Sequence, residues 1–340
     1  MLTGRVWPAH PHPYSGECLS SWLIRCAHAN GMKVQTFCVR NFGHERQIWN
    51  RDVDRHAPEW LLATLSEKTA TPLDAVVKTT MLLFEGRFFT KKHLSGQLRW
   101  VLPLSLYHRT FRNFGVQFCP QCLAEDSEPY FRLSWRLAFY TFCPKHHILM
   151  HDRCHSCKMP VSYHRAELGK ANQMEGEPMD HCWYCGFKLS EAPRVSMVQE
   201  RCPAFEQWNE LLAMVDQQLT DSGVFHYRRM LLLHQLCRLI VSESLAPDLQ
   251  SYVCELTGQP VLDLVKSRMA FEHRAIEERH YVVGLALWLS DTDAEQKLTT
   301  AIQKRKLPSN QVYRDLRDVE RASLQLFLTL PVSKRGGKPL

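Results

Sequence analysis

The sequence predicts a mainly α-helical fold with a cysteine-rich metal-binding region at its centre. Apolar residues recur at helical spacing before residue 115 and again after residue 195. Between these stretches, short pairs of cysteine or histidine residues follow one another closely. We therefore expect three parts, which are an N-terminal helical domain (1–115), a tandem metal-binding region (116–195) and a C-terminal helical bundle (196–340).

Two helices are predicted near the N-terminus. The first lies within 17–30, where four apolar residues share one face and Asn30-Gly31 provides a left-handed stop. The second spans about 34–42 and ends at Gly43.

A pair of helices joined by a short turn is predicted next. The first begins at Pro58, and the second spans about 72–83, because Thr71-Pro72 combines a capping residue with a first-turn proline. The residues expected to face inward are Leu73, Val76, Val77 and Met81, and those expected to face solvent are Asp74, Lys78 and Thr79. Such a pair fits a helix-turn-helix that reads DNA bases, but packed helix pairs are also common in proteins that never touch DNA.

Beyond residue 195 the pattern is again helical. One helix carries an apolar stripe from Phe205 to Leu219, and a second contains Leu232, Leu236, Leu239 and Ile240. The segment 280–290 is apolar on nearly every face, which is typical of a helix enclosed by others. We expect 200–325 to form a compact bundle, with 333–340 as a frayed tail.

The central region contains four pairs of potential metal ligands, each pair separated by two residues. They are Cys119 and Cys122, Cys143 and His146, Cys154 and Cys157, and Cys182 and Cys185. Two ligands at this spacing can point at one ion, and two such pairs complete a tetrahedral Zn²⁺ site. Eight ligands therefore predict two structural zinc ions per chain, each held in a zinc ribbon.

The pairing of these ligand pairs is not fixed by the sequence. Pairing of neighbours closes the shortest loops and gives one site of three cysteines and a histidine, followed by one of four cysteines. A cross-braced arrangement, in which the first and third pairs share an ion, stays open. His147 competes with His146 as a ligand, and we expect His155 and His181, which lie beside the second site, to be surface residues.

A disulfide framework is the main alternative for the cysteines. A chain of 340 residues can bury a large core without covalent staples, and its first residues lack the apolar core of a signal peptide. We therefore expect a reducing, cytoplasmic location, in which clustered cysteines favour metal. The longest apolar run, 281–289, is shorter than the ~20 residues of a membrane span. The remaining cysteines, expected to be small buried hydrophobic residues, are Cys18, Cys26, Cys38, Cys202, Cys237 and Cys254.

The charge is mildly basic, with a formal net charge of +7 and a pI near 8.8. This favours acidic partners without requiring nucleic acid. From Lys304 to Lys338 nine basic residues accompany three acidic ones, and such a run is either ordinary solvated surface or a phosphate-binding surface. The candidate partner or nucleic-acid contacts in the N-terminal part are Lys78, Arg87, Lys91, Lys92 and Arg99. The aromatic residues Trp49, Trp60, Phe88 and Phe89 are candidate anchors of the same surface, and the alternative is that several of them are core residues.

The motifs of several enzyme classes are missing from the sequence. A catalytic zinc keeps one coordination position for water, whereas both sites predicted here can be filled by protein ligands. The His-x-Glu of nucleic-acid deaminases, His-Glu-x-x-His, a Walker A loop and Gly-x-Ser-x-Gly do not occur. We expect no catalytic centre.

Several stretches together resemble the TniQ family of transposition proteins. Residues 13–31 (PYSGECLSSWLIRCAHANG) resemble the opening motif of that family. Residues 118–126 (FCPQCLAED), 130–136 (YFRLSWR) and 142–149 (FCPKHHIL) are similar to its zinc-ribbon core. The resemblance covers about residues 10–190, and one departure is Cys18, where the family more often has an aliphatic residue.

The resemblance implies a non-catalytic target-selection adaptor of a DNA transposon. Such proteins mark the insertion site and help to recruit an AAA+ ATPase, which brings the transposase. Some members dock on a guide-RNA CRISPR effector complex and act as dimers, whereas the TnsD-like branch binds an attachment site directly. The absence of a nucleotide-binding loop fits this division of labour.

Two other functions are compatible with parts of the sequence. A sequence-specific DNA-binding protein would read bases through the helix at about 72–83, and a cross-braced ubiquitin-ligase-like module would need interleaved ion pairing. Trp135 and Arg136 lie between ligand pairs, and we expect them to close the ribbon, with the guanidinium on an acidic partner such as Glu125 or Asp126. A contact with a partner is the alternative role of these two residues.

Overall fold

The computed structural model describes residues 5–46, 48–91, 96–104, 114–168, 176–196, 203–217, 227–265 and 269–330. Within these ranges the fold is mainly helical, as predicted, and extended pairing is limited to isolated β-bridges. The α-helices are α1 (Leu19–Ala29), α2 (Val34–Phe42), α3 (Val53–His56), α4 (Glu59–Thr69), α5 (Leu73–Lys78), α6 (Pro120–Glu125), α7 (Phe205–Asp216), α8 (Tyr227–Ile240), α9 (Leu249–Thr257), α10 (Ile276–Leu289), α11 (Ala294–Gln303), α12 (Ser309–Val312) and α13 (Asp318–Phe327). Short 3₁₀ helices occur at Met81–Phe84, Leu133–Arg136, Tyr163–Arg165, Leu189–Glu191 and Phe271–His273.

Helices α1 and α2 match the two helices predicted near the N-terminus. The chain leaves α1 at Asn30, whose side-chain amide donates to the carbonyl oxygens of Ala9 and Cys26 at 2.6 and 2.8 Å. Gly31 follows with φ of +63°, a left-handed conformation that glycine adopts without a steric penalty. The apolar face of α1 is fully buried, so this helix forms the centre of the N-terminal half.

The helix predicted at about 72–83 is shorter than expected. Helix α5 ends at Lys78 because the hydroxyl groups of Thr79 and Thr80 donate to the carbonyl oxygens of Val76 and Val77, and a 3₁₀ turn then continues the chain. Two predicted orientations are wrong, since Leu73 is 51% exposed and Thr79 is buried. Helix α4 packs against α5, but base reading by this pair stays a prediction.

Helix α10 is the central element of the C-terminal half. It packs against α7, α8, α9 and α11, and its residues from Val282 to Leu287 are all buried. The prediction of an enclosed apolar helix at 280–290 is therefore confirmed. Leu219 of the predicted α7 stripe lies outside the described residues.

Trp100 anchors the N-terminal half to the C-terminal helices. Its indole ring is fully buried and packs edge-on against Phe139 and Phe271, with centroids 5.1 and 5.7 Å apart. Its backbone N–H donates to the carboxylate of Glu272 at 2.8 Å. Trp100 has φ of +66°, a strained conformation for a bulky residue, so these contacts hold the chain in a shape that it would not adopt alone.

The cysteines outside the predicted metal sites are buried, as expected, at Cys18, Cys26, Cys38, Cys237 and Cys254. Cys202 lies outside the described residues. In the part of the chain that the structure describes, no helix has the length and apolarity needed to cross a membrane.

Candidate metal centres

Three of the four ligand pairs share one backbone geometry. In each, the residue after the second ligand has a left-handed conformation, namely His147, Lys158 and Gly186. Its N–H donates to the carbonyl oxygen of the first ligand at 2.8, 3.0 and 2.9 Å, respectively. An antiparallel β-bridge then closes each turn, at Phe142 with Leu149, Arg153 with Pro160, and His181 with Lys188. Each of these pairs is therefore a tight knuckle whose two ligands point the same way.

The remaining pair is built on a helix. Cys119 is the N-cap of α6, Pro120 takes the first helical position, and Cys122 lies in the first turn. The N–H of Cys122 lies 3.4 Å from the sulfur of Cys119. A short helical turn and a knuckle are thus two ways to point a pair of ligands, separated by two residues, in the same direction.

The structure groups the eight predicted ligands as four neighbouring pairs in two clusters. Within each cluster the ligand atoms all lie within 4.8 Å of one another, and the clusters are Cys119, Cys122, Cys143 and His146, and Cys154, Cys157, Cys182 and Cys185. Neighbouring pairs share a cluster, as loop closure favours, and the cross-braced arrangement does not occur among these ligands.

The interatomic distances in the first cluster fit a tetrahedral zinc ion. Ligand atoms at ~2.0–2.3 Å from a common tetrahedral ion lie about 3.3–3.8 Å apart. The Nδ1 atom of His146 lies 3.3 Å from the sulfurs of Cys119 and Cys122 and 3.5 Å from that of Cys143. The sulfurs of Cys122 and Cys143 are 3.6 Å apart.

The second cluster fits the same geometry but is more exposed. The sulfur atoms of Cys154 and Cys185 are 3.7 Å apart, and those of Cys157 and Cys182 are 3.6 Å apart. Cys185 is exposed and Cys157 is half-buried, whereas all three cysteines of the first cluster are buried. Soft thiolate ligands in a tetrahedral set favour zinc in both clusters.

His146 has the hydrogen-bond partner that a metal-binding histidine usually requires. Its Nε2 atom lies 2.9 Å from the carboxylate of Glu125, opposite the Nδ1 atom that faces the sulfurs. A carboxylate at this position fixes the ring orientation and increases the basicity of the ligand nitrogen. Glu125 also accepts from Lys145 at 2.7 Å and from Gln121 at 3.0 Å.

The neighbouring histidines have other roles. His147 occupies the left-handed position of its knuckle, and its ring lies 5.7 Å from that of Phe205 on α7. His181 lies 3.0 Å from the carboxylate of Asp180, and His155 is exposed. None of the three belongs to either ligand cluster of the described residues.

The first cluster is joined to α1 through a short backbone pairing. Glu17 and Arg132 form an antiparallel bridge, the N–H of Cys18 donates to the carbonyl of Phe131, and that of Leu133 donates to the carbonyl of Gly16. The stretches 13–31 and 130–136, which both carry the resemblance noted from the sequence, are thus direct partners.

A buried ion pair lies beside this pairing. Arg25 donates to Glu17 at 2.7 Å and to Glu128 at 2.8 Å, and its guanidinium lies 3.7 Å from the ring centroid of Tyr14. Burial raises the pKa of Glu17 to about 7, although Arg25 opposes this shift. Glu128 had no sequence signal, because its role depends on residues 103 positions away.

The predicted acidic partners of Arg136 were wrong. Its buried guanidinium donates to Asp52 at 2.6 Å and to Asp54 at 3.0 Å. Asp126 instead pairs with Arg132 at 2.7 Å, and Glu125 serves His146. Burial raises the pKa of Asp54 to about 6, against the effect of Arg136. Trp135 is fully buried, in agreement with its expected structural role.

The candidate partner-binding residues have different environments. Lys78 is about half exposed with only a loose ion pair to Asp74 at 3.9 Å, and Lys91 is exposed. Arg87 is half-buried, and Arg99 is engaged with Glu320 at 3.0 Å and with Tyr227 at 3.0 Å. Lys92 lies outside the described residues.

The aromatic residues proposed as surface anchors belong mostly to the core. Phe88 and Phe89 are buried, and Trp49 and Trp60 are partly buried against the same core. Phe88 and Phe89 are therefore core residues, the alternative that the sequence left open, and they are not surface anchors.

Fold and site together define a mainly helical protein organised around two clusters with zinc-ligand geometry. Residues 8–150 match the TniQ family model, which identifies a TniQ domain in this part of the chain. The match includes the first cluster and ends before the second. A comparison with curated proteins found no match. The TniQ domain supports a role in target selection for transposition.

Proposed function

We propose that the chain is a non-catalytic adaptor that links a target-recognition complex to the AAA+ ATPase and the transposase of a DNA transposon. The observation that carries this proposal is the TniQ match over residues 8–150. The backbone pairing of 13–31 with 130–136 supports it, because the two motifs form one structural unit.

Zinc would have a structural role in this adaptor. Each cluster offers four protein ligands, which would fill all four coordination positions of a tetrahedral ion and leave none for an activated water. Bound zinc would supply folding free energy and fix the two knuckles of each cluster relative to each other. We propose two zinc ions per chain and the division into 1–115, 116–195 and 196–340.

We propose that the ribbon region holds the neighbouring helices at fixed angles, and three contacts support this role. Tyr163 lies between the two knuckles of the second cluster. Its hydroxyl group forms a 2.6 Å hydrogen bond with the hydroxyl group of Ser20 on α1. Glu167 accepts from the backbone N–H of Val34 at the start of α2 at 2.8 Å. On the other side, α7 packs Phe205 against Phe142 with centroids 5.4 Å apart.

The target-recognition partner that we propose is a CRISPR effector complex with its guide RNA. The chain would act as a bridge in which one surface meets this complex and another meets the ATPase, with a homodimer as one way to present both. Lys78 and Lys91 are the exposed candidates for the partner surface, together with Lys92 from the sequence. ATP hydrolysis would belong to the partner, and we propose no nuclease, ATPase or deaminase activity for this chain.

The second candidate function is a TnsD-like protein that binds a fixed attachment site. The formal net charge of +7 favours this candidate, since binding to DNA phosphates requires excess positive charge. Its DNA affinity would depend steeply on salt and would show base preference.

Affinity purification distinguishes the two candidates. The tagged chain is purified from cells that carry the neighbouring genes, and the eluate is analysed for protein, RNA and DNA. Effector subunits with guide RNA and the ATPase support the leading proposal, whereas attachment-site DNA without guide RNA supports the second. Recovery of no transposition component, together with unchanged transposition after deletion of this chain, would contradict both.

A further inference from the structure

A groove in the C-terminal half lies outside the TniQ match and outside both ligand clusters. Its volume is about 340 Å³. One wall is the end of α8 with the chain that leads into α9, and the other wall is the non-helical segment 261–264. We call it the α9 groove. Apolar residues line both walls, among them Ile240, Val241, Ala246, Val261, Leu262 and Leu264.

The backbone of the second wall alternates between bonded and unbonded residues. The N–H of Leu262 donates to the hydroxyl of Tyr281 at 3.4 Å, and its carbonyl oxygen accepts from Gln250 at 2.8 Å. The backbone groups of Val261 and Asp263, on either side, make no hydrogen bond within the described residues. This alternation is typical of a strand, in which successive residues direct their backbone groups to opposite edges. The wall therefore has one unpaired edge.

The side chains of this wall are apolar and poorly covered. Val261 is 57% exposed, Leu262 is 43% exposed, and Leu256 at the end of α9 is 50% exposed. An unpaired edge with exposed apolar side chains is a template for pairing with another chain. An extended peptide would use main-chain hydrogen bonds to this edge and would place alternate side chains against the groove.

The charge around the α9 groove is negative, although the whole chain has a formal net charge of +7. Residues 241–265 contain four acidic residues and no lysine, arginine or histidine. Two of them, Glu243 and Asp263, are exposed and line the groove. Neither belongs to a group of potential metal ligands within the described residues. Charge complementarity therefore favours an occupant that carries lysine or arginine.

Nucleic acid and a partner helix fit this groove poorly. Among the described residues, no lysine or arginine lines it, so phosphates would meet carboxylates without a counter-charge. A helix satisfies its own backbone groups and would leave the unpaired edge unused. Edge and charge together point to an extended, basic peptide.

We propose that the α9 groove binds a basic, extended peptide segment of a partner protein. The peptide backbone pairs with Val261 and Asp263, and its lysine or arginine side chains lie beside Glu243 and Asp263. In the adaptor this groove is a second docking surface, opposite in charge to the surface of Lys78 and Lys91. That use rests on the proposed function, whereas peptide binding itself does not.

The test begins with a display library of random dodecapeptides, selected on the immobilised, zinc-loaded full-length chain. We expect the enriched peptides to contain lysine or arginine and to alternate apolar with polar residues. The most enriched peptide is labelled, and its binding is measured by fluorescence anisotropy. In Glu243→Lys/Asp263→Lys its affinity should be roughly tenfold lower, because like charges then face each other. Glu191→Lys/Glu206→Lys, which reverses two exposed charges elsewhere, should change the affinity less than about twofold.

Methylation of the peptide nitrogens tests the strand pairing. Two analogues are made, each methylated at alternate residues, so that each blocks one edge of the extended peptide. Only one analogue should lose binding, because an added strand pairs along a single edge. Exchange of the amide hydrogens of Val261 and Asp263 should slow when the unmethylated peptide binds.

Four outcomes would overturn the proposal. They are no enrichment, enriched peptides without basic residues, equal effects of the groove and control variants, and equal binding by the two methylated analogues. Enrichment of sequences that match residues 331–340 would also overturn it, because the groove would then belong to the chain's own basic segment. None of these outcomes affects the recovery of transposition components in the affinity purification, which tests the adaptor function separately.

Discussion

The carboxylate of Glu17 and the guanidinium of Arg25 form a buried ion pair, with 2.7 Å between Oε2 and Nη1. Glu17 also accepts from the N–H of Tyr14 at 2.9 Å and from the hydroxyl of Ser21 at 2.8 Å. Arg25 reaches Glu128, just before the stretch 130–136. The pair therefore fixes the start of α1 against the chain that follows the first metal ligands.

Removal of Arg25 should strongly destabilise the protein. Arg25→Met leaves the carboxylate of Glu17 buried without its cation, which typically costs about 3–5 kcal/mol. The free energy of unfolding is measured by denaturant titration, and Glu17→Gln/Arg25→Met should recover at least half of the loss. If Arg25→Met lowers the free energy of unfolding by less than about 0.5 kcal/mol, as substitution of an exposed arginine does, the pair has no structural role.

Asp216 should make stability depend on pH. Its carboxylate accepts from Tyr140 at 2.6 Å and from Ser134 at 2.8 Å, and burial raises its pKa from 3.8 to about 6. Because the folded pKa is raised, the stability that Asp216 contributes is present in acid and lost as pH rises through about 6. Asp216→Asn lacks this titration.

The measurement compares the free energies of unfolding of the wild-type chain and Asp216→Asn. The difference should shift by about 0.8 kcal/mol in favour of the wild type as pH falls from about 8 to about 5.5. Zinc content is followed at each pH, since metal ligands bind protons in acid. A difference that does not change with pH, at constant zinc content, would show that Asp216 does not titrate in this range.

Glu125 should control the zinc affinity of the first cluster. Glu125→Ala removes the carboxylate from Nε2 of His146, a change that typically lowers metal affinity 10–100-fold. Competition with a chromophoric chelator measures the two sites separately, and the second should be unchanged. Glu191→Ala, an exposed glutamate outside both clusters, is the control. If the first cluster binds zinc equally tightly in Glu125→Ala and Glu191→Ala, Glu125 does not support the zinc site.

Exposed lysines of the N-terminal half should affect assembly but not folding. Reversal of charge in Lys78→Glu/Lys91→Glu should weaken recovery of partner complexes and lower transposition, while zinc content and Tm stay nearly unchanged, because exposed charges contribute little to stability. Arg40→Glu/Arg194→Glu, which reverses the charge of two exposed arginines outside both ligand clusters, provides the matched control. If Lys78→Glu/Lys91→Glu supports transposition at the wild-type level, the partner interface lies on the ribbons or on the C-terminal half instead.

Local patterns predicted the parts of the molecule that depend on neighbouring residues. The ligand spacing identified both clusters, because a knuckle needs only the two ligands and the left-handed residue after them. The apolar spacing of 17–30 likewise located α1, and the nearly continuous apolar run at 280–290 located α10, because both patterns are properties of the segment itself.

Long-range pairs could not be predicted from such patterns. Arg136 pairs with Asp52, which is 84 residues away, and nothing in the intervening sequence marks either aspartate as its partner. The early end of α5 depends on two threonine hydroxyls that compete for backbone carbonyls, and the apolar spacing of 72–83 did not reveal it. Phe88 and Phe89 show the same limit, since only the fold decides whether an aromatic residue is core or surface.

Metal stoichiometry tests the architecture most directly. Elemental analysis combined with native mass spectrometry of the purified full-length chain should give two zinc ions, one for each cluster. Cys119→Ser and Cys182→Ser should each lose the ion of their own cluster and the local fold, because ~10 kcal/mol or more of zinc-binding free energy is also folding free energy. Cys38→Ser, a buried cysteine outside both clusters, should retain two. One ion or none in the wild-type chain would contradict an architecture held by two structural zinc sites.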